Sequence, residues 1–406
     1  MPARRAVSLP APRSPRALAV VLCAVVLLAA AVSTGCAKAD DSAAKRADAR
    51  LDGALAELVA TEGMPPGAIA TVYRDGRSTT HAAGVAQLGR DRAPGSALAM
   101  RIASVSKAFS GAVALSLVDS GKLDLADTIG RRLPGLPRAW HRVTLTQLLQ
   151  HTSGVPDFTA SKAFGAAVGA SPDKAPPPAG LLAFVADEPL NFAPGSQYRY
   201  SNSDNVIVGL MAEAVTGESY ASLLRRLAYR PAGLRATSLP RGVDLPRPFL
   251  HGYAPADAPG GGTTTASTAS PPPEDVSEVV AFGGWAWASG GIVSTSADLG
   301  RFVRAELAGT FFGDEVRGEQ HVFVKGTSEP TGPGDNAAGL ALFRYRTDCG
   351  TMYGHTGSIL GYTQLIAASA DGTTSVTFTV SGQVPKALVP RLRRAEEQAV
   401  CAALAV

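Results

Sequence analysis

The sequence lacks the residue patterns that mark several common classes of hydrolase. Its 6 histidines include no His-Glu-x-x-His pattern and its 4 cysteines include no Cys-x-x-Cys pair, so a catalytic or structural zinc site is not expected. A Gly-x-Ser-x-Gly elbow is also missing, which argues against an α/β-hydrolase. We therefore expect no metal and no cofactor.

The sequence also has little net charge once its first residues are set aside. The formal net charge is +4, but residues 1–35 hold four arginines and no acidic residue, which leaves 34 basic and 34 acidic residues. This balance gives no electrostatic indication of a nucleic-acid partner. The arginines precede the apolar run Ala17–Val32, which is short for a membrane span and typical of an export signal. Residues 1–35 are therefore predicted to be a signal peptide.

The cysteines fit an exported protein. Ser33-Thr-Gly-Cys36 resembles a bacterial lipoprotein cleavage box, whose cysteine becomes lipidated. Because Ser33 replaces the usual aliphatic residue, plain secretion is the alternative to a lipid anchor. Cys349 and Cys401 remain as an even pair, and disulfides persist outside the cytoplasm. Their bridge would close a loop of about 50 residues, worth about 4 kcal/mol; two free thiols are the alternative.

The order of local patterns predicts two lobes. Residues 36–46 are small and polar and predict a tether. Residues 47–123 and 291–406 contain strands and packing helices and predict one α/β lobe. Residues 124–290 are mostly helix and loop and predict an inserted α-rich lobe, with a flexible insertion over 254–278. The predicted strands are Gly67–Tyr73, Ser78–Ala86, Gly339–Tyr345, Thr363–Ser369 and Ser375–Ser381.

The first indication of catalytic chemistry comes from Ser104 and Lys107. They lie at the start of an apolar segment, Val105–Val118, which Gly121 ends, and this pattern predicts a helix buried on all sides. Residues three apart share one helix face, so the hydroxyl and the amine can meet. Burial lowers the pKa of an amine towards that of a useful base. A weak nucleophile beside such a base is the minimum for covalent catalysis.

Two later motifs complete a pattern. Tyr200-Ser-Asn202 follows the turn Pro194-Gly195, and His355-Thr-Gly357 precedes a predicted strand. Taken singly, these motifs are ordinarily a turn and a surface histidine. In this order and spacing, Ser-x-x-Lys, Tyr-x-Asn and His-Thr-Gly resemble the three motifs of the penicillin-recognising serine hydrolases.

The resemblance covers residues 45–406 and includes the segment His151-Thr-Ser-Gly154. It implies an α/β fold in which an antiparallel sheet, flanked by helices, is built from both chain ends and an α-rich lobe is inserted. It also implies that Ser104 attacks the carbonyl of a D-Ala-D-Ala peptide and that Lys107 takes its proton. Tyr200, as phenolate or relay, would pass the proton to the leaving amine. Whether Lys107 or Tyr200 is the acylation base stays open.

The remaining roles follow from the same resemblance. Backbone N–H groups of Ser104 and Ser358 would form the oxyanion hole. Asn202 would hold the amide of the acyl group. His355 and Thr356, with Gly357 beside them, would support the relay and the carboxylate of the substrate.

Finer features resemble exported D-alanyl-D-alanine carboxypeptidases. The third motif begins with His355, where class C β-lactamases usually carry lysine, and Cys349 with Cys401 resembles the cysteine arrangement of those peptidases. Trp285 would line the cleft. Arg344, or Arg346 after a one-residue shift, would bind the terminal carboxylate of the substrate.

The expected function is therefore a monomeric, exported D-alanyl-D-alanine carboxypeptidase that acts on peptidoglycan-type peptides and binds β-lactams. A β-lactamase and a small-ester esterase of the same family are alternatives, because a shared fold does not determine the substrate. An alternative from another class is a non-catalytic penicillin- or peptidoglycan-binding lipoprotein.

Overall fold

The fold is seen in a computed structural model that describes residues 42–254 and 273–406. Its largest element is an eight-stranded antiparallel sheet with strand order β2-β1-β12-β11-β10-β9-β8-β7. Two short ribbons, β3–β6 and β4–β5, lie outside it. The strands are β1 (Gly67–Arg74), β2 (Arg77–Gly84), β3 (Met100–Arg101), β4 (Tyr253–Ala254), β5 (Glu274–Asp275), β6 (Val293–Ser294), β7 (Val324–Lys325), β8 (Asp335–Ala338), β9 (Phe343–Thr347), β10 (Gly350–Ile359), β11 (Tyr362–Ala368) and β12 (Ser375–Val380).

The sheet joins the two ends of the described chain. β1 pairs with β12, so that Val72 lies opposite Val376. The β1–β2 hairpin turns at Asp75-Gly76, where both residues have positive φ, 53° and 75°, as expected for a tight Asp-Gly hairpin turn. The predicted antiparallel sheet built from both ends is confirmed.

The predicted strand at Gly339–Tyr345 is wrong in its first half. Residues 339–342 form the turn between β8 and β9, closed by a hydrogen bond from Gly339 N to Leu342 O. The third motif, His355-Thr-Gly357, is predicted to precede a strand, but it lies within β10. The three glycines of β10 weaken its strand signal, since glycine is depleted in strands.

Helices at the two chain ends cover one face of the sheet. Leu51 and Leu55 of α1 (42–60) and Ala399 of α13 (Val389–Leu404) share one buried cluster with strand residues. Cys401 on α13 is joined to Cys349, in the turn before β10, as a disulfide with Cα atoms 5.2 Å apart. The two ends of the chain are thus tied together on this face.

Helix α1 corrects the predicted tether. Residues 42–46 belong to the helix, whereas residues 36–41 lie outside the described residues. Ala47 is completely buried one turn before Leu51, so the apolar period of the helix extends further towards the N-terminus than its leucines indicate.

The helical lobe packs on the opposite face of the sheet around α2. Along β11, Ile366 and Ala368 join the core of this lobe, whereas Leu365 and Ala367 face the terminal helices, as the two-residue period of a strand requires. Helix α2 is buried from Ser106 to Leu117, as predicted for this segment. The helices between the terminal ones are α2 (Ser106–Asp119), α3 (Ile129–Arg132), α4 (Leu145–Leu149), α5 (Lys162–Ala170), α6 (Pro178–Leu182), α7 (Asn202–Thr216), α8 (Tyr220–Leu223), α9 (Phe282–Trp285), α10 (Trp287–Gly290), α11 (Ser296–Leu307) and α12 (Asp314–Gln320).

The predicted flexible insertion over 254–278 is wrong at its ends. β4 and β5 pair as a ribbon, and the Ser277 carbonyl accepts a hydrogen bond from Nε of the buried Arg101 at 3.1 Å. A buried guanidinium requires such acceptors, and Val276 and Ser277 beside it are buried, whereas residues 273–275 are exposed. Residues 255–272 lie outside the described residues.

Within residues 42–254 and 273–406, none of the helices has the length and apolarity needed to cross a bilayer. In the same part of the chain, no cluster of three or more His, Cys, Asp or Glu side chains is placed to hold a metal ion.

Candidate active site

Ser104 lies at a sharp turn that leads into α2. The turn Ala103–Val105 is a short 3-10 segment, and Ala103 has a φ of 50°, a left-handed conformation that is uncommon for a residue with a side chain. Such strained residues cluster at functional sites, where the surrounding structure enforces them. The turn places the Ser104 hydroxyl one helical turn from Lys107, as the spacing of the motif predicts.

Lys107 connects the serine to two other elements. Its Nζ lies 3.0 Å from Ser104 Oγ, 2.7 Å from Asn202 Oδ1 and 2.7 Å from the carbonyl oxygen of Ser289 in α10. Burial lowers the pKa of Lys107 to about 7, and nearby carboxylates oppose this shift only partly. The amine is therefore partly neutral near physiological pH, and a neutral amine can accept the proton of Ser104.

Tyr200 lies beside this pair. Its ring is packed against Lys107, with Nζ 4.9 Å from the ring centroid. Burial raises the pKa of Tyr200 well above its ordinary value of 10, and the stabilising effect of the neighbouring Ser104 hydroxyl is smaller. The phenol is thus protonated in the resting site. Its hydroxyl is buried and has no hydrogen-bond partner of suitable geometry among the described residues, so it is available to a substrate.

A buried polar pair supports the Tyr200 ring. The ring of His151 packs on it with centroids 4.4 Å apart, and His151 Nδ1 lies 2.9 Å from Asp204 Oδ2. Ser153 donates to the other carboxylate oxygen at 2.5 Å. Burial raises the pKa of Asp204 and lowers that of His151, which favours an uncharged pair. The sequence pattern of residues 151–154 does not indicate this supporting role.

Asn202 bridges Lys107 to Asp157, a carboxylate that no sequence motif marks. Its Oδ1 accepts from Lys107, while its Nδ2 donates to Asp157 Oδ2 at 3.0 Å and to Thr159 Oγ1 at 3.1 Å. The amide is oriented by these contacts, because a charged donor and an acidic acceptor fix its two ends. Asp157 follows the segment 151–154 by three residues, and only its position in space identifies it.

The backbone of β10 lies against the Ser104 turn. A Cβ on Gly357 would be 2.9 Å from Ser104 N and 2.9 Å from the carbonyl oxygen of Ile102, closer than real contacts allow, so glycine is required here. This close approach also brings the next residue, Ser358, to the side of the nucleophile. The arrangement is compatible with an oxyanion hole formed by the N–H groups of Ser104 and Ser358.

His355 and Thr356 are buried in β10, the strand that lies against the Ser104 turn. Burial, and then the charge of Lys107, lower the pKa of His355 to about 3, so the imidazole is neutral. Its Nδ1 lies 2.5 Å from the Thr356 carbonyl, whereas Nε2 is buried without a partner. The Thr356 hydroxyl donates to the Pro330 carbonyl at 2.6 Å, so in this arrangement its proton is engaged within the protein.

Comparisons with known proteins agree with this geometry. The family model described as Beta-lactamase matches residues 51–400. The chain belongs to the β-lactamase family.

Penicillin-binding protein 4* of Bacillus subtilis (strain 168) is 28% identical over 162 residues, which are 39% of this chain and 34% of that protein. Penicillin-binding protein 4 of Amycolatopsis lactamdurans is 31% identical over 186 residues, 44% of this chain and 46% of that one. The chain thus spans less than half the length of these relatives.

Two solved structures resemble the whole fold. A D-stereospecific amidohydrolase from Streptomyces sp. is 28% identical, with a TM-score of 0.72 over 86% of this chain and 98% of that one. The D-amino acid amidase from Ochrobactrum anthropi SV3 complexed with D-phenylalanine has a TM-score of 0.73 at 24% identity over 87% of this chain and 98% of that one. This chain is accordingly a member of the superfamily that contains the serine β-lactamases and the penicillin-binding proteins.

Two residues predicted to bind substrate in this β-lactamase-family chain make packing contacts instead. Trp285 is 3% exposed, and its Nε1 donates to the Ser171 carbonyl at 3.2 Å, which leaves little of the ring to line a cleft. The Arg344 guanidinium lies over the Phe323 ring at 5.1 Å. Arg346 is exposed on the same strand. The structure therefore brings together Ser104, Lys107, Tyr200, Asn202 and the β10 motif, with Arg344 outside that group.

Proposed function

We propose that this protein is an exported amidohydrolase that forms an acyl-enzyme on Ser104 with D-configured amino acid amides or peptides. The observation that carries the proposal is the contact of Lys107 Nζ with Ser104 Oγ at 3.0 Å, combined with a lysine pKa of about 7. A base must lie within hydrogen-bond distance of the proton it removes and have a pKa near the working pH. Lys107 meets both conditions.

The residues suggest a sequence of proton transfers. Neutral Lys107 takes the Ser104 proton as Oγ bonds to the acyl carbon, and the N–H groups of Ser104 and Ser358 stabilise the oxyanion. Tyr200 donates its hydroxyl proton to the departing nitrogen and recovers a proton from Lys107. The C–N bond breaks, and the amine leaves with the equivalent of the serine proton. Water then attacks the acyl-enzyme by the reverse relay and releases the acid.

The choice of amide over carboxypeptidase substrates rests on the state of the third motif. A carboxypeptidase must bind the terminal carboxylate of its substrate, which requires a matched cation or free donors. His355 is neutral and the Thr356 hydroxyl is engaged with Pro330. The resemblance to the Streptomyces D-stereospecific amidohydrolase, at 28% identity over 86% of this chain, supports the same choice.

A D-alanyl-D-alanine carboxypeptidase is the second candidate. One observation favours it: Arg344 Nε is buried and has no hydrogen-bond partner among the described residues. A guanidinium with an unused donor beside β10 would bind a carboxylate if the side chain turned from Phe323. Under this candidate, Arg344→Leu should reduce hydrolysis of a free-carboxylate peptide by about 2 to 4 kcal/mol of transition-state binding and spare a neutral ester. Arg346→Leu is the matched control.

A comparison of five substrates tests the proposal. We expect D-alanine p-nitroanilide to be hydrolysed faster than its L-enantiomer, and faster than a D-Ala-D-Ala peptide, a chromogenic cephalosporin or a nitrophenyl ester when kcat/KM is compared. The Ser104→Ala protein supplies the background rate. Preference for the peptide, the cephalosporin or the ester would instead indicate the carboxypeptidase, the β-lactamase or the esterase, respectively. Stable acylation without turnover of any substrate would indicate a penicillin-binding protein without hydrolytic function.

Export is part of the proposal. The arginines and the apolar run before Cys36 support a signal sequence, and lipidation of Cys36 would anchor the protein outside the cytoplasm. These residues lie outside the described part of the chain. The Cys349–Cys401 disulfide is compatible with an oxidising compartment. A monomer is expected to suffice for activity, because every group in the mechanism comes from one chain.

A further inference from the structure

Two carboxylates lie on opposite sides of the catalytic residues. Asp157 belongs to the helical lobe, where its Oδ2 accepts from Asn202 Nδ2 at 3.0 Å and its Oδ1 accepts from Thr159 N at 3.0 Å. The other end of the Asn202 amide holds Lys107. Asp157 is therefore separated from the catalytic lysine by a single amide group.

Glu329 lies on a segment that connects the two walls of the site. The segment 327–330 accepts a hydrogen bond at each end: Tyr198 Oη donates to the Thr327 carbonyl at 2.6 Å, and Thr356 Oγ1 donates to the Pro330 carbonyl at 2.6 Å. Tyr198 belongs to the Tyr200 loop, whereas Thr356 belongs to β10. Glu329 lies between these two anchors, at the rim of the site, and its side chain is exposed.

The carboxylates of Asp157 and Glu329 interact electrostatically with each other and with Lys107. Although the Glu329 side chain reaches solvent, the neighbouring walls of the site partly desolvate its carboxylate. This desolvation and repulsion by Asp157 raise the pKa of Glu329, and attraction by Lys107 and Arg199 opposes the rise. Both carboxylates also act on Lys107, whose pKa they raise. In the part of the chain that the structure describes, Glu329 forms no ion pair, and Arg199 Nη1 is bonded to Asn191 Oδ1 at 2.8 Å. Asp157 and Glu329 thus place acidic groups beside Lys107, whereas Arg199 supplies a positive charge that is hydrogen-bonded to Asn191.

Two buried polar atoms in the same space indicate that a ligand completes the site. The Tyr200 hydroxyl and His355 Nε2 are buried without a hydrogen-bond partner among the described residues. Their rings are 6.4 Å apart, and the Tyr200 ring contacts Lys107. Buried polar groups are nearly always satisfied in the functional state, and a neutral histidine nitrogen accepts a hydrogen bond. A ligand that brings donors to this side of Ser104 would satisfy them.

We propose that Asp157 and Glu329 bind the free ammonium group of the acyl donor and make the enzyme selective for substrates with an unblocked amino group. This inference rests on the amidohydrolase function proposed above. In an amino acid amide the ammonium is attached to the carbon next to the carbonyl that Ser104 attacks, so it lies on the acyl side of the site, near Asn202 and Asp157. A carboxylate pair stabilises an ammonium there and gives no donor to an N-acetyl group.

The test compares D-alanine p-nitroanilide with N-acetyl-D-alanine p-nitroanilide by kcat/KM. The wild-type protein should prefer the free amine at least about tenfold. Glu329→Gln and Asp157→Asn should each reduce this preference by about tenfold, the usual loss when a charge-assisted contact becomes a neutral one. The effect should be mainly on KM, because the ammonium takes no part in bond breaking. Asp335→Asn, which changes an exposed carboxylate of β8, is the matched control and should leave the preference unchanged.

The outcomes separate this inference from the function on which it rests. Equal hydrolysis of both anilides, or preference for the N-acetyl one, overturns the inference and leaves the amidohydrolase function standing. Hydrolysis of neither anilide overturns both. Labelling of Ser104 by a fluorescent penicillin in each variant shows that the site is folded, so a lost preference is attributed to the missing charge. A preference that persists in both single variants and in the double variant also overturns the inference.

Discussion

The pH dependence of acylation should follow the titration of Lys107. Its pKa is lowered to about 7 by burial, and only the neutral amine accepts the serine proton. The neutral fraction is about one half at pH 7 and falls about tenfold for each pH unit well below it. The acylation rate should therefore rise through pH 7 and become constant above pH 8. His355, with a pKa of about 3, and Tyr200, whose pKa is well above 10, do not titrate in this range.

Stopped-flow labelling with a fluorescent penicillin between pH 5.5 and 9 measures this profile. Two variants make this test of the role of Lys107 more specific. Lys107→Arg replaces the base with a group that stays protonated, and acylation should fall by about a hundredfold or more. Glu329→Gln removes a charge that raises the pKa of Lys107, so the midpoint should move to lower pH. A rate that is flat from pH 5.5 to 8.5, or a Lys107→Arg protein acylated at the wild-type rate, would refute the role of Lys107 as the base.

Four further predictions can be checked independently. The Ser104→Ala protein should not be labelled by a fluorescent penicillin; an intact adduct on another residue, detected by peptide mass spectrometry, would contradict the assignment. Tyr200→Phe should slow acylation by about a hundredfold or more and change substrate binding little; near-normal turnover would make the phenol structural. Burial raises the pKa of Glu306 from 4.5 to about 8, so its contribution to stability is complete below pH 4.5 and is lost as the pH rises through 8. The difference between these two pKa values corresponds to about 5 kcal/mol of the free energy of unfolding. The Glu306→Gln variant mimics the protonated acid, so its free energy of unfolding, measured by chemical denaturation, should not show this loss. Mature protein should begin at lipidated Cys36; a chain starting elsewhere between residues 31 and 40, without lipid, would indicate plain secretion.

The local sequence was sufficient to predict elements whose signals are periodic or tied to a turn. The apolar segment of α2 predicted complete burial, and Asp75-Gly76 predicted the β1–β2 hairpin, because these patterns depend on neighbouring residues alone. The spacing of Ser104 and Lys107 predicted their contact for the same reason. The strand that carries the third motif, β10, was not predicted, because its glycines lower the strand propensity of the segment. One of them, Gly357, is needed for the close approach to the Ser104 turn.

The tertiary structure decided which groups remain available for a substrate. Thr356 is a motif residue in the sequence, but the partner of its hydroxyl is Pro330, 26 residues away along the chain. Asp157 and Glu329 belong to no recognised motif, yet folding places both around Lys107. Hydrogen-bond partners and pKa values depend on burial and on groups brought near by long-range folding, which residue spacing does not encode. The sequence therefore predicted the pairing of Ser104 with Lys107, whereas the acidic groups proposed to select the substrate are brought beside this pair only in the folded chain.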